Sequence, residues 1–249
     1  MKSLKTTVKE QRKNFGEKQT RPSISVICSI YNASKWLARY LEAINDQFEQ
    51  SFEVIFVDAN STDNSIELVK DFKFRDGIGA TLIENAERIS VYEAWNRGIK
   101  IARGKYIMNW NTDDLLYPSG IQTYAEYVLK NANIDFFYSP CCVVSSQSFD
   151  TIVGLRNWPE YSHETLLKLC IGGPFPLVKK KSIEKCGFFK EKYVSSGDYE
   201  MWLNFSKNKF KFKKIPDIIG CFYERKDSVS LGNLELAQKE DLEIQNLHK

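Results

Sequence analysis

Within WNTDDLLYP (residues 110–118) two carboxylates, Asp113 and Asp114, stand side by side between an apolar run and a proline. Crowded like charges raise each other's pKa unless a cation relieves them. A hard divalent ion held by one or two carboxylates, its other positions open to phosphate oxygens and water, suits such a pair. A solvated turn, with Asp113 or Asp114 capping the helix that begins near Pro118, is the plainer alternative. In extended chain Asn111 and Asp113 point one way and Asp114 the other, so a turn is needed for both aspartates to reach one ligand. Asp58, in DANSTDNS (58–65), either caps the next helix or accepts from the imide N–H of a uracil or the hydroxyls of a ribose. Asp198, in GDYEMW (197–202), is either a first-turn helix acid or a general base, with Glu200 as a second candidate.

The elements around these acids follow a regular order. ISVICSIYN (24–32) and FEVIFVD (52–58) read as fully buried strands, and ATLIE (80–84) and KYIMNW (105–110) as further strands. Between them, residues 33–47, 60–72 and 90–102 carry helical spacing; in the first, Trp36/Leu37, Tyr40/Leu41 and Ile44 share a face. Strand and helix alternate through residue 132, the mark of right-handed βαβ units on a mostly parallel sheet. Ligands bind such sheets beyond the carboxyl ends of the strands. Asp58 and Asp113/Asp114 fall at those ends. Later, IDFFYSPCCVV (134–144) reads as one strand, GGPFPLVKKKSIEKCGFF (172–189) as a rigid turn and a helix, and 197–207 as an amphipathic helix. Strands at 210–215 and 218–224 and a helix at 234–247 complete the pattern.

The chain has 249 residues, 43% of them hydrophobic, enough for one large domain or two small ones. Its net charge of +3 gives no global argument for nucleic acid. Seven of the first 21 residues are basic, which reads as a solvated tail, though such a cluster also suits peripheral contact with an anionic membrane surface. No apolar stretch has membrane-spanning length, and the N-terminus lacks a signal peptide's apolar core. Six cysteines without metal-ligand spacing read as reduced core residues, so a cytoplasmic location is expected.

Four stretches, SVICSIYNASKWLARYLEAINDQ, FEVIFVDANSTDNS, VYEAWNRGIKIARGKYIMNWNTDDLLYP and GPFPLVKKKSIEKCGFF with SSGDYEMWLNFSK, in this order resemble the family 2 glycosyltransferases, especially small bacterial enzymes of surface-polysaccharide and O-antigen assembly. The resemblance implies an α/β GT-A fold: a mostly parallel nucleotide-binding sheet flanked by helices, with a mixed acceptor-binding C-terminal half. It covers the transferase domain over 22–230 (nucleotide-sugar half 22–117, acceptor half 118–230), leaving the basic tail over 1–21 and a C-terminal helix over 231–249 on either side. By similarity Ser29 and Tyr31 line the base pocket and Asp58 bonds the base; Ala59 stands where many relatives have a second acid. Asn96 and Arg88 match positions near the nucleotide. NTDD matches the metal-binding D-x-D region with Asn111 replacing its first acid, so Asp113 approaches ribose and metal, and Asp114 is a metal ligand. Asp198 matches the catalytic base. The implied reaction is an inverting, Mn²⁺- or Mg²⁺-assisted transfer from a nucleotide-sugar, with UDP the commonest carrier, to a glycan or lipid-linked acceptor.

GGPFP (172–176) matches a stretch near the acceptor, and Trp158, Tyr161 and His163 are candidates for a sugar-stacking platform or for core. The segment 224–233 resembles a closing loop, with Arg225 or Lys226 over the diphosphate. A nucleotidyltransferase is disfavoured by the absence of a Gly-rich basic loop after the first strand, and a dinucleotide oxidoreductase by the absence of G-x-G-x-x-G. Asn111 and Ala59 keep a catalytically inactive sugar-nucleotide-binding scaffold as the alternative. No feature of the chain fixes an oligomeric state.

Overall fold

A computed structural model of the chain describes residues 11–15, 22–49, 51–145, 148–225 and 232–249. Strand β2 (Ile24–Ile30) places Val26 and Cys28 in one apolar cluster and Ile27 in another. β3 (Phe52–Asp58) does the same with Val54 and Phe56 against Ile55 and Val57. Strands apolar on both faces must lie inside a sheet covered on both sides. Helices α1 (Ser34–Asn45) and α2 (Ser65–Asp71) contribute to the first cluster, and α3 (Val91–Ile101) to the second.

β2, β3, β4 (Gly79–Glu84) and β5 (Tyr106–Asn109) are parallel neighbours, with Ile30, Asp58 and Glu84 side by side at one rim. At the opposite rim Glu53 is buried and binds Ser25, the Arg103 N–H and the Arg103 guanidinium at 2.6–2.8 Å, tying the end of α3 to the sheet.

The sheet continues into the C-terminal half. After β6 (Leu115–Leu116) and α4 (Gly120–Lys130) come β7 (Phe136–Tyr138), β8 (Cys141–Val144), β9 (Ile152–Arg156), α5 (His163–Leu166), β10 (Leu177–Lys179), α6 (Lys180–Cys186), α7 (Gly197–Lys207), β11 (Phe212–Lys214), β12 (Gly220–Tyr223) and α8 (Leu234–His248). β10 lies antiparallel between β5 and β7, and β11 is parallel to β7. A second sheet has the order β6-β12-β8-β9. This is the expected mixed α/β architecture, a largely parallel sheet flanked by helices.

Two expectations are corrected. Gln11–Phe15, inside the supposed tail, forms strand β1, antiparallel to β4 at the sheet edge; the other basic residues of 1–21 apart from Arg12 and Lys13 lie outside the described residues. Residues 134–144 are not one strand: Pro140, which lacks an N–H, separates β7 from β8, and the two join different sheets. All six cysteines are free. Among the described residues no helix is long and apolar enough to cross a membrane.

Candidate active site

The turn after β5 is anchored before it displays its acids. Trp110 is fully buried, its N–H donates to the Ile27 carbonyl, and its own carbonyl accepts from the Tyr40 hydroxyl at 3.0 Å. The Asp114 N–H then closes on the Asn111 carbonyl at 3.2 Å, while the Trp110 indole N–H donates to the Asp114 carbonyl. This is the turn the two aspartates required, with Asn111 at its first position.

Their environments differ. Asp113 accepts from Arg225 Nε at 2.8 Å, and its carbonyl accepts from the Arg39 guanidinium at 3.1 Å. Asp114 is buried, and its Oδ1 accepts from the Tyr223 N–H at 3.1 Å. Burial first, and then Asp113, push Asp114 well above the usual carboxylate range; the Tyr223 N–H, Arg39 and Arg225 pull the other way. Adjacent hard oxygens, one of them buried beside a like charge, fit a divalent cation. Among the described residues no group of three or more His, Cys, Asp or Glu converges on an ion, so substrate oxygens and water would complete the shell.

Across the rim, Ser29 is half-buried at the end of β2 and Tyr31 is exposed just beyond it. The Arg88 guanidinium sits 3.5 Å from the Tyr31 ring centroid, so these two expected nucleotide residues meet. Asp58 is fully buried, and its carboxylate accepts the N–H groups of Asn60 and Ser61 at 2.9–3.3 Å. Burial raises its pKa against these hydrogen bonds. The turn-capping use of Asp58 is therefore present, and a base contact would need the 59–61 turn to yield.

Asn96 is engaged by the loop after α6. Its amide donates to the Phe189 carbonyl and Glu191 at 2.9 Å and accepts the Phe189 N–H at 3.0 Å, clamping α3 to the loop after α6. The amide is buried and committed to that loop, so the expected nucleotide contact would require one of these hydrogen bonds to be exchanged.

Asp198 lies in the first turn of α7, partly open to solvent. Its Oδ1 accepts the Tyr199 N–H at 2.9 Å and lies 3.3 Å from the Tyr92 hydroxyl, which donates to the Ser195 carbonyl at 2.7 Å. Desolvation raises its pKa to about 6, partly opposed by the Tyr199 N–H and Tyr92. Tyr92 lies in the first turn of α3, which starts at the carboxyl rim because it follows β4. The topology thus brings Asp198 to the rim that bears Asp113 and Asp114. Glu200, two residues on, is buried and faces His248 at 3.8 Å, away from this role.

Tyr161 stacks on Phe212 at 4.1 Å, and its hydroxyl and the exposed His163 Nδ1 both contact Ser206 Oγ, so Tyr161 is used in packing and His163 is tied to α7. The Trp158 indole N–H is buried without a hydrogen-bond partner, against Gly173, whose φ of +69° and lack of room for a Cβ (2.7 Å from Trp158 Nε1) require glycine. Lys226 and most of 224–233 lie outside the described residues. Arg39 and Tyr92 were missed from sequence. Arg39 borders the apolar stripe of α1, a weak signal, and Tyr92 lies on a helix whose spacing does not set it apart.

Residues 25–226 match the family model described as Glycosyl transferase family 2. The chain is 25% identical over 225 residues to a chondroitin synthase of Pasteurella multocida, covering 90% of this chain but 23% of that protein, so it spans about a quarter of that relative's length. S. aureus TarS (residues 1–349) in complex with UDP-GlcNAc superposes with a TM-score of 0.75 at 17% identity, covering 91% of this chain and 65% of that one. The mannosyltransferase PcManGT from Pyrobaculum calidifontis in complex with GDP-Man and Mn²⁺ gives 0.66 at 17% identity, covering 90% and 63%.

Proposed function

The chain belongs to glycosyl transferase family 2, and from that premise we propose that it transfers a sugar, with inversion, from a nucleotide-sugar to a hydroxyl of a glycan or lipid-linked acceptor. The observation that carries this reading is the anchored Asp113–Asp114 turn, where two acids lie among Arg39, Arg225 and the Tyr223 N–H. A donor diphosphate and its cation present the same alternation of charge.

A divalent cation held by Asp113 and Asp114, when bound, stabilises the departing diphosphate as a Lewis acid. The protein's side chains do the rest. Arg39 and Arg225 balance the acids, and Arg225 can turn from Asp113 to a phosphate oxygen. Tyr31 and Arg88 border the base, with Ser29 beneath; Asp58 braces the 59–61 turn, and Asn111 offers the ribose side an uncharged oxygen. Asp198 accepts the acceptor hydroxyl's proton as that oxygen bonds the anomeric carbon. The anomeric C–O bond breaks and its electron pair leaves with the nucleoside diphosphate. Attack opposite the leaving group inverts the anomeric centre, as in single-displacement glycosidases. UDP is the preferred carrier in this reading; TarS is described with UDP-GlcNAc and PcManGT with GDP-Man and Mn²⁺.

The test is release of nucleoside diphosphate from UDP-, GDP- and dTDP-sugars with Mn²⁺ and a glycan acceptor panel. One donor turned over to a product of inverted anomeric configuration is expected. A retained configuration, or donor binding without turnover on any acceptor, would overturn the proposal, the latter in favour of the scaffold.

A further inference from the structure

A carboxylate on the C-terminal helix holds the loop leading into Asp198. Glu240 lies in α8, beyond the 25–226 match, and is 7% exposed. Its Oε1 accepts the Val194 N–H at 2.7 Å, and its Oε2 accepts those of Ser195 and Ser196, each at 2.9 Å. One turn earlier, the Ala237 carbonyl accepts from Ser196 Oγ at 3.4 Å. One turn later, Glu243 meets Lys192 at 2.7 Å and the Tyr193 hydroxyl at 3.2 Å. Residues 237, 240, 243 and the fully buried Ile244 share one helical face. That face fixes five successive residues, 192–196.

The next residue is Gly197, and then Asp198. Ser196, at the N-cap position of α7, makes no side-chain capping bond, so entry to the helix is set from α8. The Ser195 carbonyl, its own N–H held by Glu240, receives the Tyr92 hydroxyl, which also flanks Asp198. A continuous set of contacts thus runs from Glu240 through the loop backbone and Tyr92 to Asp198. Hydrogen bonds to a carboxylate are about twice as strong as neutral ones, so this is a firm hold.

We propose that Glu240 is a positioning residue: it fixes 194–196 so that Asp198 stays against Tyr92 at the mouth of α7. Its catalytic meaning rests on the reading of Asp198 as the base. The groups near Asp198 are Tyr92 from α3, Tyr199 from α7, Asp241 from α8 and Cys170 before β10. Glu240 acts on Asp198 through the backbone rather than as one of these charges.

The test needs no substrate. The Asp198 carboxyl is titrated by carbon-13 NMR in wild type, Glu240→Gln and Glu240→Ala, its signal assigned by Asp198→Asn, and amide exchange of 194–196 is followed alongside. In Glu240→Ala the loop hydrates, Asp198 titrates about one unit lower, and those amides exchange about tenfold faster while α1 does not change. Glu240→Gln, which keeps one acceptor oxygen, falls between. Should the alanine variant fail to fold, the glutamine variant decides alone. An unchanged Asp198 titration in either folded variant refutes the positioning role. Turnover separates the two readings: an active Asp198→Asn enzyme refutes the base and leaves the titration to judge Glu240.

Discussion

Asp198 is partly exposed yet raised to about 6 by desolvation, and it lies beside a hydroxyl already committed to Ser195. As a base it must be ionised, so turnover is predicted to rise with pH through about 6. Asp198→Asn is predicted to cut turnover about 10²–10⁴-fold, the usual worth of general-base help, with donor affinity little changed in direct binding. The same shift acts on stability with the opposite preference. Because the folded-state pKa lies above the unfolded value, the folded protein holds this proton more tightly. Its contribution is complete below about pH 4 and is lost as pH rises through about 6. Asp198→Asn should therefore be more stable than wild type at pH 8, by about 1–3 kcal/mol, and equal to it near pH 3.5; denaturant melts at the two pH values check this. Residue types were legible where local geometry decides: the D-D pair demanded a turn and has one. The clamp made by Asn96 was not legible, because its partners lie more than ninety residues away in a loop that no local spacing reveals.

At the scale of elements, α3 joins the two halves of the site: Tyr92 supports Asp198, while Asn96 holds the loop after α6. Asn96→Ala is predicted to destabilise the protein by about 1–3 kcal/mol, through lost and orphaned hydrogen bonds, while leaving nucleotide affinity unchanged by calorimetry. Gly197 has no room for a side chain; a Cβ would lie 2.8–2.9 Å from the Tyr92 ring. Gly197→Ala should displace Tyr92 or Asp198 and lower turnover about tenfold or more while nucleotide affinity, read at the Asp113–Asp114 turn, holds. The strands β2 to β5 were readable because residues alternate between two apolar clusters, the signature of a covered parallel sheet. β10 was not. Its three residues, LVK, run directly into α6 and become a strand only because β5 and β7 offer edges to it.

On the scale of the whole molecule, residues 22–117 and 118–230, the proposed nucleotide and acceptor halves, share one sheet, since β10, β7 and β11 extend the parallel strands. The halves remain a functional division in the proposal, not two separate cores. β1 covers the β4 edge, and α8 is joined to the acceptor half through Glu240, Glu243 and Ile244. Neither terminal contact was legible, because each depends on a partner surface made elsewhere in the chain. The parts meet at the Asp113–Asp114 turn, which receives β5, a cation from α1 and the end of β12. The most direct test is calorimetric titration of UDP, GDP and dTDP, with and without Mn²⁺, into wild type and a folded Asp113→Ala/Asp114→Ala variant. One nucleotide is predicted to bind, about tenfold or more tighter with Mn²⁺, and to lose that gain in the double variant. Equal affinity without the metal, or a metal effect that survives in the double variant, would contradict the account.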